Sequence, residues 1–215
     1  MKPLLLVMRP RLIEASLAAI THLDVDKAWL CNYTEHQLES VIPRVLGECD
    51  HDPIGIISDD GLPTNDTLRL VLDAYEPTSV YTGYCNLDTE SGLVNLSVEP
   101  LIIKREATPD CYSMPTRDAI ESHSDSLIRS WFAGFSLTFM SRAMWNTYPF
   151  DAIGEPGVQS DYSLCCRLQQ DDVPVWAVRG AFMRHLKGPD LTTNAIDGGA
   201  LRVGIDPAEV VWSLA

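Results

Sequence analysis

Lysine is scarce in this chain, with 4 lysines against 12 arginines, and these 16 basic residues face 30 acidic ones for a formal net charge of −14. That balance argues against a broad basic surface tracking a phosphate backbone, because such binding depends on Lys and Arg displacing counterions. A local basic groove is compatible with it. Long apolar runs are missing too: the N-terminal one, Leu4 to Met8, is halted by Arg9 and Pro10. It is too short for a signal-peptide core or a bilayer span. The expectation is a soluble cytoplasmic protein without a transmembrane segment, in the host cytoplasm if the source is viral. None of the 6 cysteines shows C-x-x-C spacing, which points to reduced, buried thiols rather than disulfides or a structural zinc site. N-x-S/T sequons begin at Asn32, Asn65 and Asn95; outside the secretory route they carry no glycan.

What is present is an ordinary globular composition, 46% hydrophobic and 21% charged over 215 residues, a length that suits one domain. The first half alternates strand-like and helix-like stretches, the pattern of an α/β sheet with covering helices. "PLLLVM", "KAWLCN" and "IGIIS" read as strands, the last apolar on both alternating faces and therefore central and covered on both sides. "RLIEASLAAITHL" and "TNDTLRLVLDAY" read as helices, as does the segment carrying Leu38, Val41, Ile42, Val45 and Leu46, with a kink or short break at Pro43. From Val80 the stretches "VYTGYCNLD", "GLVNLSV" and "PLIIKR" read as strands joined by turns, so the sheet becomes mixed. A helix is expected around Asp118 to Ile128, then a strand "GFSLTFM", a short helix "SRAMWNTY" capped by Ser141, a helix "SDYSLCCRLQQ" and a buried strand "VPVWAVR". The expected fold class is α/β, a single Rossmann-like domain with a mixed, mainly parallel sheet flanked by helices. It covers residues 1–190, divided at 106/107, and is followed by a flexible loop and C-terminal segment over 191–215.

Three features can carry chemistry. "ISDDGLP" delivers Asp59 and Asp60 at the carboxyl end of a central strand, where open α/β sheets bind ligands. In an extended chain the two point to opposite faces, so one metal ion does not easily take both. Asp-Gly is equally a turn dipeptide. His185 follows an apolar strand and is either a packed, hydrogen-bonded residue or the nitrogen ligand of a Mn²⁺-like ion beside oxygen donors. Asp161 falls in the first turn of a helix, where the macrodipole favours negative charge; it is a cap or a fixed general base. "SWFAGFS" adds Trp131, Phe132 and Phe135 around Gly134, either core or an apolar platform for a sugar ring or a flat base.

The order of "ISDDGLP", "WFAGFSLTFMSRAMWNTYPFDAIGEPG" and "QSDYSLCCRLQQDDVPVWAVRGAFMRHL" resembles the GT-A glycosyltransferases, especially the family-two-like members, over residues 1 to 187. The resemblance implies a nucleotide-sugar-binding half over 1–106 and an acceptor and catalytic half over 107–190. It implies a D-x-D-type role for the Asp pair: Asp60 coordinating a divalent cation, Mn²⁺ or Mg²⁺, on the donor diphosphate, and Asp59 holding ribose or metal. His185 matches the late His that completes that site, and Asp161 matches the base of inverting members. Lys187 and Arg184 are further candidates for the diphosphate. Arg9 and Arg11 stand where the nucleotide passes in that family, and Asn32 with Tyr33 replaces the acidic residue after its second strand. Ser160 precedes Asp161 where the family carries Glu. The implied activity is transfer of a hexose from a nucleotide-sugar, a UDP-sugar favoured over a GDP-sugar, to the hydroxyl of a glycan, small molecule or modified DNA base. Two alternatives stand beside it: a phage-type enzyme glycosylating a hydroxymethylated pyrimidine in DNA, and a non-catalytic nucleotide-sugar-binding module.

Overall fold

The computed structural model describes residues 2–8, 12–30, 38–87, 90–104, 107–149, 160–186, 195–196 and 210–213. Strands β1 (Leu4–Met8), β3 (Asp26–Leu30) and β4 (Ile54–Ile57) are fully buried, and they pair in parallel, with β1 between the other two. β6 (Val80–Cys85) and β11 (Val175–His185) form a second parallel pair. Between the two groups runs β10 (Ser136–Met140), antiparallel to both β4 and β6. One mixed sheet results, and five of its strands run in the same sense. Antiparallel edges complete it: β13 (Val210–Ser213) on β3, and both β5 (Gly61–Leu62) and β8 (Leu127–Ser130) on β11. Short pieces pair apart from it, β2 (Leu12–Ile13) with β12 (Ala195–Ile196), and β7 (Leu96–Ser97) with β9 (Phe132–Ala133).

Alternation along β1 sorts the core into two layers. Leu4, Leu6 and Met8 face one side with α2 (Leu38–Glu48), α5 (Arg142–Thr147) and α6 (Ser160–Gln170); Leu5 and Val7 face the other with α1 (Glu14–Thr21) and α3 (Asn65–Ala74). A third small cluster around Tyr84, Val94 and Ile120 lies beside the β6–β11 pair. The doubly covered sheet expected from "IGIIS" is what forms, because strands buried on both faces are apolar at every position.

Local sequence accounts for most boundaries. Thr64 caps α3 by accepting from the Thr67 N–H, and Ser141 caps α5 by accepting from Met144; each satisfies one of the free N–H groups of a first turn. α2 runs through Pro43 without a break. Two expectations are corrected. Residues 100–104 of "PLIIKR" form no strand, because side chains of α6 and the Cys111 carbonyl take their backbone hydrogen bonds. Gln169 bonds both the N–H and C=O of Leu101, and the Tyr162 hydroxyl donates to Ile102 O and accepts from Lys104 N. The helix expected to Ile128 is only α4 (Arg117–Glu121). In the polar run after it, Ser124 bonds Asp125 and Asp125 N–H bonds the His123 ring, local contacts that compete with a helix. No helix among the described residues is long and apolar enough to cross a membrane.

Candidate functional site

β4 ends at Ile57, and the chain then turns through Asp59 and Asp60 and returns as β5 against the end of β11. Gly61 lies opposite His185 in that pairing. A Cβ at Gly61 would stand 2.8 Å from Met183 Cε, so glycine allows the close approach of the two segments. The turn is tied down from both sides: Ser16 Oγ donates to Gly61 O at 2.6 Å, and Leu186 N–H donates to Asp60 O at 2.8 Å. "DDG" is a turn, and it is the turn that carries Asp60 to His185.

Asp59 and Asp60 are both buried, at 5% and 4% exposure. Asp60 Oδ1 lies 2.7 Å from His185 Nε2 and accepts from Ser58 Oγ at 2.8 Å. The other ring nitrogen, Nδ1, faces Asn86 O at 3.2 Å. Burial works against a charged imidazole here, but hydrogen bonding to Asp60 and Cys85 outweighs it and raises the His185 pKa to about 9. Both ring nitrogens thus face hydrogen-bond acceptors, which favours the protonated, charged imidazole against Asp60.

The donor set fits a divalent cation. One carboxylate oxygen and one imidazole nitrogen converge, and a carbonyl holds the far ring nitrogen, the usual arrangement around a metal-bound histidine. Two adjacent ligands on an octahedral ion with bonds of about 2.1 Å stand roughly 3 Å apart, and the pair here is at 2.7 Å. Among the described residues no group of three or more His, Cys, Asp or Glu is gathered for a metal. Phosphate oxygens and water are the remaining ligands such an ion takes.

Asp161 lies in the first turn of α6, partly exposed, with its Oδ1 accepting the Tyr162 N–H at 2.7 Å. Beside it the Tyr112 phenol is pushed up, first by burial and then by the Asp161 charge, and its hydroxyl is buried with no hydrogen-bond partner among the described residues. The run of residues 132–136 joins the middle of α6 to the end of β4. Ala133 N–H points at Cys165 Sγ at 3.3 Å, and Phe135 O accepts from Ser58 N at 3.0 Å.

Of the two readings of "SWFAGFS", the phenylalanines take the core one. Phe132 and Phe135, at 5% and 7% exposure, are core side chains, with Phe132 edge-on to Tyr112 at 4.8 Å. Trp131 is half-buried under the Arg129 guanidinium, 4.5 Å from its ring. Gly134 is glycine because a Cβ would meet Asn95 Nδ2 at 2.3 Å. Asn95 is needed there: it accepts from Cys85 N and donates to Ser136 Oγ, joining β6 to β10. Arg184 is exposed beside His185. Arg9, Arg11, Asn32, Tyr33 and Lys187 lie outside the described residues. Sequence reasoning missed Ser58, Cys85 and Asn86; the one available signal was the polar Asn directly after an apolar strand, at the sheet end where ligands bind.

No protein-family model matches the chain, and no curated protein does. Among solved structures it is similar to the crystal structure of A197 from STIV, with 14% identity, a TM-score of 0.53, and 83% of this chain and 82% of A197 covered. A likeness at that identity establishes a shared fold, the mixed α/β single domain described above, and nothing of activity.

Proposed function

We propose that this chain is a GT-A-type glycosyltransferase, moving a sugar from a nucleotide-sugar to an acceptor hydroxyl with a divalent cation held by Asp60 and His185. The observation that carries the reading is the meeting of these two residues, from opposite halves of the chain, at 2.7 Å and at the carboxyl ends of the parallel strands. Open α/β sheets bind their ligands there. The order of motifs resembling the GT-A family supplies the reaction class, and a UDP-sugar is favoured over a GDP-sugar.

In this reading Asp60 and His185 would hold a Mn²⁺ or Mg²⁺ ion, which would supply positive charge for the leaving nucleoside diphosphate. The chain's own residues do the rest. Asp60 and His185 place the diphosphate end of the donor, and buried Asp59 lies next to it for the ribose hydroxyls. Asp161, its charge favoured by the helix N-terminus, takes the proton of the acceptor hydroxyl. The acceptor oxygen bonds to the anomeric carbon as the sugar–phosphate bond breaks, and the electron pair leaves with the diphosphate. A net charge of −14 is no obstacle to a polyanionic donor when the cation brings the local positive charge.

The test is a thermal-shift panel of UDP-, GDP- and dTDP-sugars with and without Mn²⁺, since a ligand that binds only the folded state raises the melting temperature. One donor should raise it with Mn²⁺ and not without. Asp161→Asn should keep that shift while turnover falls about 10² to 10⁴-fold. Nucleotide-sugar turnover unaffected by EDTA would overturn the reading.

A further inference from the structure

His185 is the last residue of β11, and the parallel ladder with β6 ends two positions earlier, at Met183 opposite Cys85. Beyond that point a single residue takes over the hydrogen bonding. Asn86 Oδ1 accepts from the His185 N–H at 2.9 Å, Asn86 Nδ2 donates to the His185 carbonyl at 3.4 Å, and the Asn86 carbonyl faces the ring at Nδ1, 3.2 Å away. Asn86 is itself anchored by a bridge to Val94. A carboxamide carries a donor and an acceptor side by side, as a peptide group does, and here it continues the ladder where strand pairing has stopped.

We propose that Asn86 is the positioning residue that sets His185 for a cation. This rests on the reading that Asp60 and His185 hold one. A backbone carbonyl only accepts, so Asn86 O fixes the hydrogen on Nδ1 and leaves Nε2 as the ligand atom directed at Asp60. The side-chain clamp holds the His185 backbone on one side, and the Leu186 N–H to Asp60 O bond holds it on the other. With its backbone gripped from both sides, the imidazole keeps its place without the cation, so little order has to be gained on loading.

The experiment compares the full-length parent with Asn86→Ala and Asn86→Ser. It uses Mn²⁺ alone as the probe, with free Mn²⁺ counted by electron paramagnetic resonance. The expected result is a Kd for Mn²⁺ about 10 to 100-fold weaker in both variants, at melting temperatures that leave them folded. Ring ¹⁵N shifts of His185 with Mg²⁺ as the diamagnetic cation should report a ring held with Nε2 on the cation in the parent and a larger share of free ring in the variants, which keep the Asn86 carbonyl and lose the carboxamide clamp. Folded variants with the parent's Kd and the parent's ring signature would overturn the proposal and leave Asn86 a purely structural link. A parent that binds no Mn²⁺ would instead remove the cation site itself, an outcome distinct from a parent that binds and variants that match it.

Discussion

Two buried Asp–His pairs sit at opposite ends of the same sheet. At the amino ends of the strands, Asp26 Oδ2 meets His51 Nε2 at 2.6 Å; at the carboxyl ends, Asp60 Oδ1 meets His185 Nε2 at 2.7 Å. Residue types and spacing are nearly the same, so what differs around them decides what each can do. Asp26 also meets Lys2 Nζ at 2.7 Å, and the loop carrying His51 is pinned by Arg142, whose guanidinium donates to the carbonyls of Leu46, Cys49 and His51. The far nitrogen of His51 is buried and finds no hydrogen-bond partner among the described residues. His185, by contrast, has its far nitrogen on a carbonyl and its backbone clamped from two sides. Each imidazole meets a buried carboxylate, and only in the proposed function is that of His185 also turned toward a ligand. A matching pair of donors is therefore a weak sign of a site, and the hold on the second ring nitrogen is a better one.

The largest expected effect separates the two pairs outright. Asp60→Ala should lower kcat/KM for nucleotide-sugar transfer about a thousandfold and abolish the Mn²⁺-dependent thermal shift, and because it breaks a buried pair with His185 it should cost unfolding free energy as well. Asp26→Ala should cost unfolding free energy alone. Removing one partner of a buried ion pair costs about 3 kcal/mol, read as a lower urea midpoint, while donor binding per folded molecule stays at the parent's value. If folded Asp26→Ala loses donor binding as Asp60→Ala does, the sheet ends are not functionally distinct.

Legibility from sequence followed chain distance. The covered central strand, the caps at Thr64 and Ser141 and the helix at Ser160 rest on neighbours in sequence, and periodicity and capping chemistry expose such features. Asp59, Asp60, Asp161 and His185 could be singled out one by one as residue types at element ends. Three kinds of feature could not be read. Asn86 acts through a residue in the other half of the chain. "PLIIKR" has strand composition, yet Tyr162 and Gln169 supply its hydrogen bonds from a distant helix. Phe132 and Phe135 look the same in sequence whether they face a sugar or the core, because aromatic surface suits both. In each case a tertiary partner overrides a local pattern.

A smaller effect concerns pH in the cation-free protein. The folded-state pKa of His185, about 9, is raised above its ordinary 6.5. The stabilisation this represents is fully present below about pH 6.5 and is lost as pH rises through about 9. Between those values the melting temperature of the parent should fall, and His185→Gln should flatten the fall. The same window should favour cation loading as pH rises, because the ion takes the place of the Nε2 proton. A parent and a His185→Gln variant with superimposable profiles would show that Asp60 does not hold a charged imidazole.

The smallest expected effect tests whether the amino-end pair is an Asp–His pair at all. Asp26 has two partners, and Lys2 is the weaker by position: its side chain is 60% exposed, while that of His51 is 15% exposed. An ammonium mostly in water gives up little hydration and is screened by salt, so Lys2→Ala should cost less than about 1 kcal/mol, shrinking further at high ionic strength. His51→Ala removes a more buried hydrogen-bond donor to a fully buried carboxylate and should cost about 2 kcal/mol. Urea unfolding of both variants at low and high salt measures the order. Were Lys2→Ala the costlier, the ammonium would be what neutralises Asp26, and the resemblance between the two ends of the sheet would be one of distance alone.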